Sequence, residues 1–307
     1  MATKPTLSVF TPTYNRAYTL WKGYEGLKRQ TSKDFKWIIV DDGSTDNTKE
    51  LVEEWIKEGL VPIEYYYKKN GGMHTAHNES YRHIDTELAV CIDSDDYMTN
   101  NAVELIISRW REFGNEKYAG MIGLDIFEDG SVVGTSFPEN LHECKTYDLA
   151  IKYGVYCDKK YVYRSEVIKK YLPYPEYDGE RYGTVNFLYQ KIDHDYDMLC
   201  SNDKYCVVRY MPDGLTINVY EQHKKSPKTR AYECNVEMLY NPYIKIKFKR
   251  AIQYVSSAIF AHNIHILSQC SKKGLVFLAI PFGIAYNIYL RFKGTRKVQQ
   301  PSSNKKI

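Results

Sequence analysis

The chain has 307 residues, 43% of them hydrophobic and 26% charged, and a formal net charge of +4. That length builds one large α/β domain plus an appendage, since domains usually hold roughly 100 to 200 residues. Seven scattered cysteines with no C-x-x-C pair and no metal-ligand spacing exclude a zinc module and fit a reducing, cytosolic setting, and no nucleic-acid partner is expected. The N-terminal stretch MATKPTLSVFTPTYNR lacks an apolar core of signal-peptide length, so nothing in it predicts export. The 29 tyrosines suit sugar or nucleobase faces as well as ordinary half-buried positions.

In chain order, Leu7 to Thr11 reads as a short buried strand, followed by a turn at Pro12 to Arg16 and a helix from Tyr18 to Gln30. Phe35 to Val40 is a second strand, ending in Asp41 and Asp42. Ser44, Asp46 and Asn47 are capping residues, and Leu51, Val52, Trp55 and Ile56 recur at helical spacing, which predicts the next helix. A strand at Ile63 to Tyr67, a helix at Met73 to His83 and a strand at Glu87 to Ile92 follow. This alternation predicts a mainly parallel α/β sheet flanked by helices, whose ligands gather at the carboxyl ends of its strands. Those ends hold Thr13 to Arg16, Asp41 to Ser44, Asn70 to His74 and Asp93 to Asp96, four polar clusters expected to converge on one crevice.

Past Met121 the pattern is less regular. Met121 to Phe127 and Tyr205 to Tyr210 are β-like, and helices are expected near Ser165 to Tyr171 and Thr184 to Asp193. Beyond residue 231 the chain turns to long helical segments, including a 16-residue apolar run, Leu275 to Leu290, interrupted by Pro281 and Gly283. The expected division is a catalytic domain over 1–230, with a donor half over 1–130 and an acceptor half over 131–230, and a basic helical extension over 231–307.

Asp93-Ser94-Asp95-Asp96 closes an apolar strand. Clustered hard oxygens there suit Mg²⁺ or Mn²⁺, whose octahedral shells are completed by phosphates and water. A bare D-x-D is otherwise a turn or a cap, and its place at a strand end beside three other clusters favours the metal. In VDDGSTD, Gly43 permits the turn, and one of the two acids could accept a hydrogen bond from a nucleobase N–H or a ribose hydroxyl. In TPTYNR, Tyr14 could stack on a base and Arg16 meet a phosphate, or the segment is a rigid loop with a surface arginine. Asn70-Gly71-Gly72-Met73-His74 places two glycines before a helix whose N–H groups can receive an anion.

FTPTYNR, VDDGSTDNT, NGGMHTAHN and CIDSDD, in this order and spacing, resemble the donor half of GT-A-fold glycosyltransferase family 2. The likeness extends more loosely through YRSEVI, YPEYDGERY and PDGLT, in the manner of bacterial members that build surface polysaccharides. The resemblance implies a Rossmann-like GT-A sheet with a C-terminal helical extension, a UDP-sugar donor and Mn²⁺ or Mg²⁺. It also implies that Thr11, Pro12, Tyr14 and Arg16 border the nucleoside, that Asp41 or Asp42 contacts uracil or ribose, and that Asp93 and Asp95 bracket ribose and metal, with Asp95 as the direct ligand. Ser94, Asn70, Gly71 and His74 complete the expected donor set.

Two departures stand out. Where many relatives carry Ala-Arg-Asn, this chain has Ala76-His77-Asn78, so a cationic contact to the donor is weakened or passes to His74. After Gly179-Glu180-Arg181-Tyr182 the usual second acid is missing, with Val185 in its place. Glu180 is then the expected general base, with Asp178 behind it, in an inverting transfer to a glycan or lipid-linked glycan hydroxyl. Asp193 to Asp197 reads as a mixed polar helix rather than a second metal site. His223, Lys224, Lys225, Lys228 and Arg230 read equally as a lid over the diphosphate or as a solvated turn.

Lys245, Lys247, Lys249 and Arg250, the apolar run, and the terminal cluster from Arg291 to Lys306 resemble an interfacial anchor. It would place the enzyme peripherally on the cytoplasmic face of an anionic membrane, beside an acceptor such as a polyprenyl-diphosphate-linked glycan. The alternative is a helical hairpin packed on the catalytic domain or on a second copy of the chain. Two other functions compete: a sugar nucleotidyltransferase, whose Gly-rich basic loop TPTYNR lacks, and a non-catalytic membrane-tethered subunit that binds nucleotide sugars or glycans.

Overall fold

The computed structural model describes residues 4–209, 211 and 219–292. Tyr210, the segment Pro212 to Thr216 and the terminal cations Lys293, Arg296, Lys297, Lys305 and Lys306 lie outside the described residues. By its contacts the chain forms two compact units, one of residues 1–176 and 184–209 and one of residues 177–183 and 210–307.

The first unit opens with β1 (Leu7–Thr13), α1 (Ala17–Lys28), β2 (Phe35–Asp41), α2 (Thr48–Glu58), β3 (Ile63–Tyr67), α3 (Met73–His83) and β4 (Leu88–Cys91). The expected elements are all present, with ends moved by a few residues. It continues through β5 (Tyr97–Met98), α4 (Ala102–Phe113), β6 (Tyr118–Ile126), β7 (Glu143–Cys144), α5 (Asp148–Lys152), β8 (Lys159–Arg164), α6 (Ser165–Lys169), α7 (Phe187–Asp195) and β9 (Asp197–Val207).

One sheet holds all these strands in the order β3-β2-β1-β4-β8-β6-β9-β5, with β7 added on β9. The N-terminal part of the sheet is parallel throughout, β3 to β2, β2 to β1 and β1 to β4. Beyond β4 the sheet is mixed, because β8 runs antiparallel to both neighbours while β6 and β9 are parallel. β1, β2 and β4 are buried on both faces, which is why they read as unbroken apolar runs rather than alternating ones.

Beneath this edge, Tyr24, Trp55 and Trp37 form an aromatic stack with ring centroids 4.5 and 6.0 Å apart. Burying such rings stabilises by several kcal/mol each, about 3–5 for a truncation to Ala. The stack ties α1 and α2 to β2, and the Trp37 indole donates to the Thr11 hydroxyl at 3.0 Å. Packing of the helices thereby fixes the end of β1.

The second unit contains α8 (Val219–Lys225), α9 (Pro227–Tyr240), α10 (Ile244–Phe260) and α11 (Lys273–Phe292). The expected domain boundary at residue 230 falls inside α9. Its core joins Cys234, Met238, Tyr254, Val255, Val276 and Ala279. Gly283 allows α11 to approach α10 closely, since a Cβ there would lie 2.5 Å from Val255. Asn287 then donates to the Ser256 carbonyl at 3.0 Å.

Candidate functional site

Strand order brings the carboxyl ends of β3, β2, β1 and β4 side by side, so all four polar clusters sit on one edge of the first unit. The loops there are bound to one another rather than free-standing. Asn15, in left-handed conformation at φ 52, donates its N–H to the Ser44 hydroxyl at 2.8 Å and accepts the Thr45 N–H at 2.7 Å through its side chain. Asp46 accepts the first N–H of two helices, Ala17 of α1 and Thr48 of α2, both at 3.1 Å. Two helix starts left without caps of their own are thus served by one carboxylate. Tyr14 is left 47% exposed on the tip of this loop, while Pro12 and Arg16 are half-buried. Arg16 lies against the Tyr18 ring.

The two acids of VDDGSTD are both buried and both used. Asp41 accepts the Ser44 N–H and the Tyr65 hydroxyl, each at 2.7 Å, and burial, helped by this hydrogen bond, raises the Tyr65 pKa. Asp42 accepts the N–H groups of Gly71 and Gly72 at 2.9 and 2.7 Å and pairs with Lys68 at 2.6 Å. The anion received by the Gly-Gly amides is therefore the protein's own. Asn70 closes the same knot through the Asp42 carbonyl at 2.8 Å. Gly43, at φ 86, is required because a Cβ there would lie 2.7 Å from the Asn70 nitrogen.

His74 and His77 both turn inward, with 1% and 5% exposure. His77 meets the rings of Phe10 and Tyr174 edge-on, and burial, with His74 nearby, lowers its pKa to about 3. It is a neutral core imidazole that supplies no cation to a donor. Asn78 clamps residues 174–176, donating to the Tyr174 carbonyl at 2.9 Å and to Glu176 at 2.7 Å.

The acidic turn after β4 presents Asp93 to solvent and Ser94 and Asp95 half-buried, and directs Asp96 inward. The Asp96 N–H donates to the Asp93 carbonyl at 3.0 Å, and the Asp96 carboxylate accepts the Arg209 N–H at 3.0 Å. Behind it Lys160 of β8 lies 4.0 Å from Asp96 and 3.7 Å from Asp125 of β6. Burial raises the Asp96 pKa to about 8 against the opposing pull of Lys160, and burial raises that of Asp125 to about 6. Among the described residues no three His, Cys, Asp or Glu side chains gather as a ligand cage. Mg²⁺ and Mn²⁺ do not need one, because they keep waters and take substrate phosphates alongside one or two carboxylates. Hard oxygens of Asp93 and Asp95 at an open strand edge fit that mode.

Sequence reading missed Asn15, Lys68, Lys160 and Asp125, whereas Asp46 caps α2 as expected and serves α1 as well. For Asn15 a signal was present, since Asn is among the few side chains that tolerate positive φ.

In the second unit Asp178 is exposed and Glu180 is buried. Glu180 accepts the N–H groups of Lys228 and Thr229 at 2.8 Å each and the Thr229 hydroxyl at 2.7 Å. Both of its oxygens therefore serve the start of α9. The Ser226 hydroxyl at the N-cap is used instead by the Tyr182 N–H, at 3.1 Å. Of the cations read as a lid, Arg230 is buried against Glu233 and Gln253. Asp193, in the first unit, is buried and accepts the Tyr147 N–H at 3.1 Å, while His194 meets Asp195 at 2.8 Å.

The family model for glycosyl transferase family 2 matches residues 8–172, the stretch that builds this edge. The chain belongs to glycosyl transferase family 2. Similar family members include an uncharacterized glycosyltransferase of Rickettsia bellii, 30% identical over 45% of this chain and 21% of that protein. The GalNAc(5)-diNAcBac-PP-undecaprenol beta-1,3-glucosyltransferase of Campylobacter jejuni is 30% identical over 40% of this chain and 39% of its own length. The match thus spans less than half the length of these curated relatives. Among solved structures, S. aureus TarS 1–349 in complex with UDP-GlcNAc superposes with a TM-score of 0.59 at 16% identity, over 92% of this chain and 90% of that one. A Pyrobaculum calidifontis mannosyltransferase in complex with GDP-Man and Mn²⁺ gives 0.52 at 15% identity, over 96% and 77%. These likenesses establish the GT-A fold, a mixed sheet flanked by helices with C-terminal helices.

Proposed function

We propose that the chain is an inverting glycosyltransferase that moves a sugar from a nucleotide diphosphate donor, a UDP-sugar first among them, to a hydroxyl of a glycan or lipid-linked glycan. The observation that carries this reading is the line of four braced polar clusters along one parallel sheet edge, ending in the exposed Asp93 and the half-buried Asp95. The UDP-GlcNAc complex of a structural neighbour supports the donor class, and the undecaprenol-linked substrate named for the Campylobacter relative supports the acceptor class.

In this account Tyr14 and Arg16 border the nucleoside and its phosphates, and the braced Asp41 and Asp42 hold the loop shapes around it. Asp95, with Asp93, would hold Mn²⁺ or Mg²⁺, which when bound stabilises the departing diphosphate. The acceptor oxygen forms its bond to the anomeric carbon as the bond to the diphosphate oxygen breaks on the opposite side. The acceptor proton passes to a carboxylate. Asp178 is proposed for that role ahead of Glu180, because both Glu180 oxygens are committed to α9.

The commitment of Glu180 and the absence of an acid at Val185 also favour a second reading, a nucleotide-sugar-binding subunit without transferase activity. A panel of UDP- and GDP-sugars with Mn²⁺, read by nucleoside diphosphate release, separates the two. Release that disappears in Asp178→Asn while UDP binding persists supports the enzyme. Binding without release for every donor and acceptor supports the subunit.

We further propose peripheral attachment to the cytoplasmic face of an anionic membrane through α11. This helix is long and apolar enough to cross a membrane by length and composition. It buries Val276, Ala279, Gly283 and Leu290 against its own unit and leaves Phe277, Leu278, Phe282, Ile288 and Phe292 exposed. Lys245 and Lys249 of α10 and Lys272 and Lys273 at the start of α11 are exposed cations of the same unit. Such a combination suits an interfacial helix.

A further inference from the structure

Asp158-Lys159-Lys160 opens β8, and consecutive strand residues point to opposite faces. Both lysines are buried, with different surroundings. The Lys159 ammonium donates to the carbonyls of Val133, Tyr156 and Asp158 at 3.0, 2.9 and 3.1 Å, a local staple between loops. Lys160 meets carboxylates instead, Asp125 at 3.7 Å and Asp96 at 4.0 Å. β8 runs antiparallel between β4 and β6, with Val162 opposite Val90 and Lys160 opposite Gly123. The strand therefore carries Lys160 to the end of β4, where the acidic turn begins.

We infer that Lys160 is a positioning residue for the acidic turn, acting through Asp96 to hold Asp93 and Asp95 in place for a divalent cation. The inference rests on the proposed metal-dependent donor binding. A buried carboxylate needs a counter-charge, and here two buried carboxylates, Asp96 and Asp125, share one ammonium. Asp96 is also bonded on both sides, its carboxylate to the Arg209 N–H and its own N–H to the Asp93 carbonyl. The ammonium thereby anchors the back of a four-residue turn whose front carries the metal-facing acids. It also offsets part of the charge of the two inward acids, which weakens their pull on a cation arriving at Asp93 and Asp95.

Calorimetry of UDP binding with and without Mn²⁺ tests this in the full chain. Lys160→Met combined with Asp125→Asn removes one cation and one anion together, which leaves the net charge of the buried cluster unchanged. The expected result is a folded protein whose Mn²⁺ affinity in the presence of UDP falls at least tenfold, while metal-free UDP affinity stays within twofold of wild type. Adding Asp96→Asn should deepen the loss no further, because the two residues act in series; a multiplied loss overturns the inference. Mn²⁺ affinity within twofold of wild type in the Lys160→Met/Asp125→Asn protein also overturns it. Should that protein not fold, Asp96→Asn alone leaves Lys160 paired with Asp125 and must show the tenfold loss by itself. Wild-type UDP binding that ignores Mn²⁺ is a separate result: it removes the metal reading, and this inference with it.

Discussion

Thr229 donates both its backbone N–H and its hydroxyl to the Glu180 carboxylate, at 2.8 and 2.7 Å. A carboxylate at the start of a helix satisfies N–H groups that have no intrahelical partner and interacts favourably with the helix dipole. Glu180→Ala is therefore expected to cost about 1–2 kcal/mol, a fall in Tm of several degrees in thermal denaturation. Transfer per folded molecule should change little. Unchanged Tm with transfer abolished would return Glu180 to the role of base.

Asp42 is the corresponding brace of the parallel sheet edge, holding Gly71, Gly72 and Lys68. Asp42→Asn removes the charge and leaves Lys68 without its buried partner. Hydrogen bonds to charged groups contribute about 1.5–3 kcal/mol, so a loss of about 2 kcal/mol is expected in urea denaturation, with weaker UDP binding as the loop loosens. Equal midpoints for variant and wild type would show that the brace is dispensable.

His77 makes stability depend on pH. Its folded pKa is lowered to about 3 from an ordinary 6.5 by burial. Between those values the unfolded chain takes up a proton that the folded chain refuses. Its contribution is complete above pH 6.5 and is lost progressively as the pH falls toward 3, by at most about 1.4 kcal/mol per pH unit. His223, half-buried in the second unit and lowered likewise to about 3 by desolvation, adds a slope of the same sign. Denaturant unfolding at pH 7.0 and 5.0 should therefore show a smaller acid-induced loss in His77→Gln than in wild type. Identical losses would contradict the burial account.

The line of polar strand ends was legible in sequence because each strand is an apolar run stopped abruptly by polar residues, as in CIDSDD and WIIVDDGS, and parallel order alone then aligns the ends. Contacts between distant segments were not legible. Nothing in GERYG indicates that Glu180 meets a helix start 48 residues on, since the neighbouring Arg181 offers an equally good local partner. Lys160 was hidden for a related reason. Whether it faces solvent or the acidic turn depends on the pairing of β8 with both β4 and β6, and two lysines opening a strand give no hint of it. The mixed half of the sheet was obscured by β5 and β7, which are two residues long and carry no periodicity.

For the second unit, the exposed ring of Phe277 on α11, at 63%, is expected to enter an anionic bilayer together with Phe282. Phe277→Ser with Phe282→Ser should reduce flotation with phosphatidylglycerol-containing vesicles several-fold, and raised salt should weaken binding of the wild type. If flotation is unchanged, or if the apolar face instead pairs two copies of the chain in analytical ultracentrifugation, the membrane assignment fails.

The most direct test of the central claim is calorimetry of UDP binding to wild type and Asp95→Ala, each with and without Mn²⁺. The account predicts that wild type binds UDP at least tenfold more tightly with Mn²⁺, and that Asp95→Ala loses this gain while remaining folded. Equal UDP affinity in all four titrations would contradict it.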